Sequence, residues 1–307
     1  MKNVLVIHYS QSGQLTEIVN NIVSPLANDS TQIDYHEIKM ETPFPFPWNE
    51  KAFYGVFPDT FQQIPKKVKP VAQEILNKKY DLIILGYQIW FLTPSLPTTS
   101  FLNTADAKKL LKNTPVVTVI GCRNMWIMAQ EKMKKKLIEL QANLVGNIAL
   151  VDRHINHISV ITIEKWMMSG KKESYLGVFP KPGVSQKDID EADKFGFVIA
   201  KYLKENNFNK LQDTLLQKGA IKIKPFLVKT DKRANVLFSK WANLIQSKNS
   251  KNSKNSTFWV KLFSYYLLFA IWILAPIVFI LFLLTYVFSI HKIKKDRLYY
   301  SSVKYIE

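Results

Sequence analysis

The stretch Ser10-Gln-Ser-Gly-Gln-Leu-Thr16 carries residue types that hold a phosphate. It lies between an apolar run, residues 4–9, and a helical pattern in which Leu15, Ile18, Val19, Ile22, Val23 and Leu26 recur at three- and four-residue steps. Strand, small polar loop and helix N-terminus together collect free backbone N–H groups at the positive end of a helix dipole. Ser10, Ser12 and Thr16 add hydroxyl donors. The other reading is an ordinary strand-to-helix turn. Proton transfer has two candidates, His154 and His157, because imidazole titrates near neutrality. For each the alternative is an exposed or structural histidine. Metal chemistry has no candidate: no HExxH occurs, and the single cysteine, Cys122, can build neither a zinc site nor an intrachain disulfide. The folded part therefore fits a reducing compartment. With no GxGxxG and no Walker motif, a dinucleotide-type Rossmann site and a P-loop site are disfavoured.

The elements that would position these residues follow from hydrophobic period. Residues 4–9, 81–86 and 116–121 are short apolar runs, read as buried strands, and 33–40 and 146–152 complete five. Helical patterns occupy 68–78, 128–140, 158–168 and 188–204, the last capped by Ser185. The helix at 128–140 has a basic face at Lys132, Lys134, Lys135 and Lys136. This alternation predicts an α/β fold with a doubly wound, five-stranded parallel sheet covered on both faces. Ligands on such sheets bind at the carboxyl ends of strands. Three unusual segments converge there: Ser10–Thr16, Tyr87-Gln-Ile-Trp-Phe-Leu-Thr-Pro-Ser-Leu-Pro97 and Cys122-Arg-Asn-Met-Trp126. The run Thr42-Pro-Phe-Pro-Phe-Pro-Trp48 can be neither helix nor central strand. As a surface loop it either walls an apolar pocket with Phe44, Phe46, Trp48, Phe53, Tyr54, Phe57 and Phe61, or packs these rings on its own core. Residues 153–184 form a long insertion, of the kind that often builds a substrate site.

Beyond residue 205 the composition changes. The chain of 307 residues has a net charge of +18, and residues 206–261 alone hold twelve Lys/Arg against two acids. Residues 206–246 are basic, with an amphipathic helix at 233–246 whose Leu237, Trp241, Leu244 and Ile245 share a face; it lies on an anionic membrane surface or packs on the domain. Residues 247–257 form a Lys-Asn-Ser repeat that reads as a low-complexity linker. Residues 262–290 are 29 without a charge, the core of a membrane segment at 258–291. Either a tilted, kinked span or a re-entrant hairpin turning at Ala275-Pro276 accommodates them, and a basic tail at 292–307 follows. The positive charge tracks the linker and the membrane flanks, so no nucleic-acid partner is expected. Lys2 and Asn3 run directly into the first strand, which reads as no signal peptide, and the domain is expected at the cytoplasmic face of the inner membrane.

Ser10, Ser12, Gly13 and Gln14 resemble the Ser/Thr-x-Thr-Gly-x-Thr phosphate loop of flavodoxin-like proteins, with Leu15 at the last Thr position and Thr16 beside it. Gly86-Tyr-Gln-Ile-Trp90 is similar to their Gly-x-Pro-x-Trp segment, with Gln88 in place of Pro. The resemblance implies a flavodoxin-like fold over residues 1–205 and FMN as cofactor. It implies phosphate contacts from Ser10, Gln11, Ser12, Gly13, Gln14, Leu15 and Thr16. Tyr87, Gln88, Ile89, Trp90 and Phe91 would cradle the isoalloxazine. Gly121, Cys122, Arg123 and Asn124 would meet its pyrimidine edge, with Arg123 stabilising the reduced, anionic flavin.

Longer motifs, Phe44-Pro-Phe-Pro-Trp48, Val119-Ile-Gly-x-Arg-Asn-Met-Trp126, Ala129-Gln-Glu-Lys132 and Asp152-Arg-His154, resemble the bacterial dialkylresorcinol condensing enzyme family of dialkylresorcinol and flexirubin biosynthesis. That family accompanies a ketosynthase. Condensation needs a nucleophile, usually Cys with His, and Cys122 stands in the expected flavin loop. An FMN-dependent aromatase fits better: oxidising a lipophilic cyclic dione to a resorcinol removes two hydrogens, with His154 or His157 as base. The implied partners are a ketosynthase and acyl carrier protein, membrane lipids, and a quinone as electron acceptor. The alternatives are a membrane-bound quinone-dependent oxidase of another pathway, similar to protoporphyrinogen oxidases of this fold, and a tethered electron carrier or ketosynthase scaffold.

Overall fold

A computed structural model of the chain describes residues 1–249 and 253–306. Its centre is a parallel sheet of β1 (Lys2–His8), β2 (Thr31–Glu37), β3 (Leu82–Trp90), β4 (Pro115–Cys122) and β5 (Asn143–Val151), in the order β2-β1-β3-β4-β5. The helices in chain order are α1 (Gln14–Val23), α2 (Glu50–Gly55), α3 (Phe57–Phe61), α4 (Leu96–Leu102), α5 (Ala105–Leu111), α6 (Ile127–Glu139), α7 (Asn156–Ser169), α8 (Asp193–Glu205), α9 (Leu211–Gln217), α10 (Pro225–Asn249), α11 (Ser253–Phe269), α12 (Ala275–Leu284) and α13 (Ile290–Ser301). Val4 and Val6 of β1 face α1 and α8, while Leu5 and Ile7 face the opposite layer with Phe101, Leu110, Met133 and Leu137. Both faces of the sheet are thus buried, which is why its strands read as unbroken apolar runs.

Several expectations are corrected. The helix expected at 68–78 is a single turn, Gln73–Leu76, because Val68 bridges to Met40 in extended backbone and Pro70 follows. Strand β3 runs on to Trp90, so Tyr87 to Trp90 lie on a strand rather than in a loop, and Thr93–Pro94 folds back antiparallel onto it. The helix expected at 188–204 is divided into a turn at Gln186–Asp190 and α8. The domain does not stop at residue 205. Leu211 and Leu215 of α9 and Ala220 are buried in the sheet's core, and the Ala149 N–H donates to the Ala220 carbonyl at 2.8 Å. The basic face of α6 is only partly solvated: Lys134 is buried and paired with Glu131 at 2.8 Å.

Helix α10 packs on the domain. Phe238, Ala242 and Ile245 are buried against Phe57 and Phe61 of α3, whereas Leu237, expected on the same face, is 42% exposed. The expected linker is helical where it is described, with α10 reaching Asn249 and α11 starting at Ser253; residues 250–252 lie outside the described residues. From Thr257 to Leu284 the chain is one helical run of 28 residues whose most apolar 18-residue window has a mean hydropathy of 3.0, long and apolar enough to cross a membrane. A π-helical stretch, Ala270–Leu274, precedes Pro276. Proline removes one backbone donor and crowds the preceding turn, and a π-bulge absorbs both effects without a reversal. Ala275-Pro276 is therefore not a hairpin turn.

Candidate functional site

A cavity of about 310 Å³ opens at the carboxyl ends of β1, β3 and β4, in the size range of ligand clefts. The loop after β1 supplies Gln11, Ser12 and Gln14, the end of β3 supplies Gln88 to Leu92, and the loop after β4 supplies Gly121 to Met125. Trp48, Phe53 and Tyr54 wall one side. The long insertion adds Ile163, Glu164, Trp166 and Met167 through α7, and the apolar run adds Leu267, Leu268 and Ile271.

The expected phosphate loop is a turn built by Gly13, whose φ of +82° leads the chain into α1. The Ser12, Gly13 and Gln14 N–H groups have no acceptor among the described residues, while Ser10 Oγ accepts the Leu15 N–H at 3.2 Å. Three orphan donors at a helix N-terminus suit an anion. The Gln14 carboxamide is engaged elsewhere, exchanging bonds of 3.1 and 3.0 Å with the Val184 backbone. Gln88, the departure from Pro, has a role: its Oε1 accepts the Gln11 N–H at 3.0 Å and ties two of the loops together. Gln11 Nε2 in turn donates to the Pro45 carbonyl at 2.8 Å, and its Oε1 accepts from Tyr9.

Three expected cofactor contacts point away. Leu15 is buried beneath Gly121 and Gly86, where α1 approaches the sheet closely. The Thr16 hydroxyl pairs with His8 Nε2 at 3.0 Å. Tyr87 is fully buried and donates to Gln130. Trp90 and Phe91 do line the cavity. Trp90 is held edge-on by Phe44 (5.3 Å) and Trp48 (5.4 Å), and the Trp48 N–H donates to the Met167 carbonyl at 2.8 Å. Of the other aromatic residues proposed as pocket wall, Phe57 and Phe61 pack on α10 instead.

Arg123 donates to Asn156 Oδ1 at 2.9 Å, and Asn124 donates to the same oxygen at 2.8 Å. Burial pushes the guanidinium down to about 10, so it stays charged at neutral pH. Burial pushes the Cys122 thiol up, with Asp231 adding to the effect. A neutral thiol is a poor nucleophile, which counts against Cys122 as the nucleophile of a condensation.

Both histidine candidates lie outside the cavity. His154 is exposed; its N–H is held by buried Asp152, which also accepts from Ser159 Oγ at 2.7 Å. His157 Nε2 lies 3.1 Å from the Ile271 carbonyl, and its ring meets Trp272 at 5.0 Å. Pro276 returns no N–H to the turn before it, and His157 satisfies that turn as the Nε2–H tautomer. Among the described residues lining the cavity, Glu164 is the only carboxylate and Arg123 the only cation. No motif marked Glu164. Its spacing on an apolar helical segment was the available signal. Glu164, Glu50 and above all burial push the Tyr54 hydroxyl up to about 12.

Behind the β4 loop, Asp231 of α10 is buried and accepts the Met128 N–H at 3.2 Å, capping α6. Burial pushes its carboxyl up to about 7, against the pull of the Met128 and Ile127 N–H groups and Lys132. An unfolded Asp ionises near pH 4. Between pH 4 and 7 the folded chain holds the extra proton, so stability falls as pH rises through that window and levels off above it. The drop is about 4 kcal/mol at most. Asp231→Asn keeps the cap acceptor and removes the titration. Melting curves at pH 5 and 8 should show a smaller pH-dependent loss in the variant; equal losses would discount the carboxyl.

The turn with three orphan N–H groups, the apolar cleft with Trp48 and Trp90, and the half-buried guanidinium of Arg123 together fit FMN. No protein-family model matches the chain, and no curated protein matches it. Among solved structures, the chain is similar to a flavoprotein in complex with FMN from Lactobacillus acidophilus NCFM, at 18% identity and a TM-score of 0.37 over 48% of this chain and 92% of that one. It is similar to a flavodoxin from the domain Archaea at 13% identity and a TM-score of 0.34, over 66% and 99%. It is also similar to RosB with bound 8-demethyl-8-formylriboflavin-5'-phosphate, at 9% identity and a TM-score of 0.38, over 73% and 92%. The strand order β2-β1-β3-β4-β5 is itself the flavodoxin-like arrangement, with the turn after β1 at its switch point.

Proposed function

We propose that the chain is an FMN-dependent oxidoreductase that aromatises a lipophilic dialkylcyclohexanedione to a dialkylresorcinol. The observation that carries this reading is one cavity lined both by the phosphate turn and by apolar side chains running out to Leu267, Leu268 and Ile271. A polar head near Arg123 and alkyl tails along Ile163, Met167 and Leu268 match that division. Bound FMN would take up two electrons and one hydrogen from the ring, and a quinone or dioxygen would reoxidise it. Glu164 accepts the other hydrogen as a proton from the acidic ring carbon, in place of the histidines. Trp48, Trp90 and Phe53 exclude water and orient the ring. A ketosynthase working with an acyl carrier protein would supply the dione.

The test is anaerobic mixing of purified, FMN-loaded protein with a synthetic dialkylcyclohexane-1,3-dione, following flavin bleaching and resorcinol formation together. Matched yields are expected. A protein that retains no flavin, or forms product without it, would refute the proposal. Glu164→Gln should slow bleaching by about 10²-fold while leaving the bound-flavin spectrum unchanged. An unchanged rate would remove Glu164 from the chemistry.

A further inference from the structure

We infer that the Thr257–Leu284 helix is an in-plane, one-leaflet insertion: the chain docks on an anionic bilayer through this helix without crossing it, and its tail stays on the side of the sheet domain. The inference is independent of the reaction performed in the cavity.

Length alone would allow a crossing, since 28 helical residues extend about 42 Å against a hydrocarbon core of about 30 Å. The contacts argue against one. Near the start, the Phe263 ring stacks on Phe57 at 3.7 Å with an interplanar angle of 5°. In the middle, the Ile271 carbonyl is held by His157 at 3.1 Å. Near the end, Phe282 is buried and meets Phe226 of α10 at 5.6 Å. Phe263 and Phe282 are about 28 Å apart along the axis, yet both rest on the same domain. A crossing helix would carry one of them to the far side of the hydrocarbon.

The chain after the helix also comes back. Asp296 pairs with Lys232 at 3.2 Å, Tyr299 donates to Glu131 at 2.5 Å, and Gln212 donates to the Ser301 carbonyl at 2.8 Å. Glu131 and Gln212 belong to α6 and α9, so the tail and the sheet domain share one side.

The outward face has no protein cover. Only 6% of the most apolar window is buried, and Phe269, Ile273, Ile277, Ile280 and Leu284 are each about half exposed or more. An apolar ridge of this extent marks an interaction surface. Charge identifies the partner: exposed Lys261 precedes the ridge, and exposed Lys292, Lys294, Lys295 and Arg297 follow it. Cations at both ends fit headgroups of a single anionic leaflet and explain why the flanking charges choose no inside. Leu267, Leu268 and Ile271 lie on the same helix and line the cavity, which places the cavity wall beside the leaflet.

The test uses the full chain with an epitope at each end, added in detergent to the outside of sealed phosphatidylcholine–phosphatidylglycerol vesicles, followed by detergent removal and flotation. The protein should float, and external protease should remove both epitopes to the same extent. A C-terminal epitope protected until the vesicles are lysed would mean a crossing helix and overturn the inference. Failure to float, with the protein recovered as a lipid-free oligomer, would make a second copy the partner and overturn it equally. Replacing phosphatidylglycerol with phosphatidylcholine should reduce the floated fraction; no reduction would overturn the anionic part of the inference.

Discussion

Ser12→Asp should lower FMN affinity by about two to three orders of magnitude while the protein keeps its fold. Ser12 is half-buried at the cavity, beside the orphan N–H groups of Gly13 and Gln14. Its hydroxyl makes no hydrogen bond among the described residues and opens on the cavity, so a carboxylate is tolerated without ligand. With a phosphate seated on that turn, two like charges about 4 Å apart repel by about 4 kcal/mol at an effective dielectric of 20, which is about 10³-fold in affinity. Solvent at the open side reduces this, hence the lower bound. Titrating FMN against its fluorescence quenching reads the effect, and a melting curve without FMN checks the fold. A variant that binds FMN like the parent would move the phosphate away from this loop and remove the basis of the cofactor assignment.

Gly196→Ala should cost about 3 kcal/mol of stability, or about 10 °C in melting temperature for a domain of this size. A Cβ built at Gly196 of α8 meets the Ile22 carbonyl oxygen at 2.1 Å and Pro25 Cδ at 2.8 Å. The first is backbone and cannot rotate away, so α8 must lift from α1 and open the layer formed by Ile18, Ile22, Phe195 and Ile199. Gly55→Ala is the control: a Cβ there meets nothing within 4 Å, and stability should stay within about 0.5 kcal/mol of the parent. Equal melting temperatures for the two variants would mean that the α1–α8 contact is looser than described. Because α1 begins at the turn proposed to hold the phosphate, the loss in Gly196→Ala should weaken FMN retention secondarily.

The sheet was legible because its evidence is local. Residues 4–9, 81–86 and 116–121 are apolar on both faces, and only a sheet covered by helices on both sides buries such runs. Once the strands were placed, the convergence of three unusual segments at their carboxyl ends followed from the fold rule, and all three do line the cavity. Element boundaries were less accurate where an extended segment pairs with a distant partner, as Val68 does with Met40, because the partner is invisible in a local window. Helix α9 was missed because a seven-residue helix whose buried face is mainly Leu211 and Leu215 leaves little periodic signal in a basic stretch.

By itself the sequence determined the α/β class, the position of the site at one edge of the sheet, and the existence of a long apolar helix, since each rests on period, composition or chain length. Side-chain direction at the site was decided only by tertiary structure. His154 and His157 were the two candidates for proton transfer, yet one faces water and the other holds the Ile271 carbonyl, more than a hundred residues along the chain. Glu164, which no motif flags, faces the cavity because α7 turns it there. Thr16 spends its hydroxyl on His8, and Gln88 departs from Pro to hold Gln11. The same holds for the apolar helix: hydropathy establishes that it is long enough to cross a bilayer, while whether it crosses depends on where Phe263, Phe282 and Tyr299 find their partners. Local pattern sets which face of an element is apolar; what that face meets is set by packing between segments far apart in the chain, and chemistry depends on the meeting.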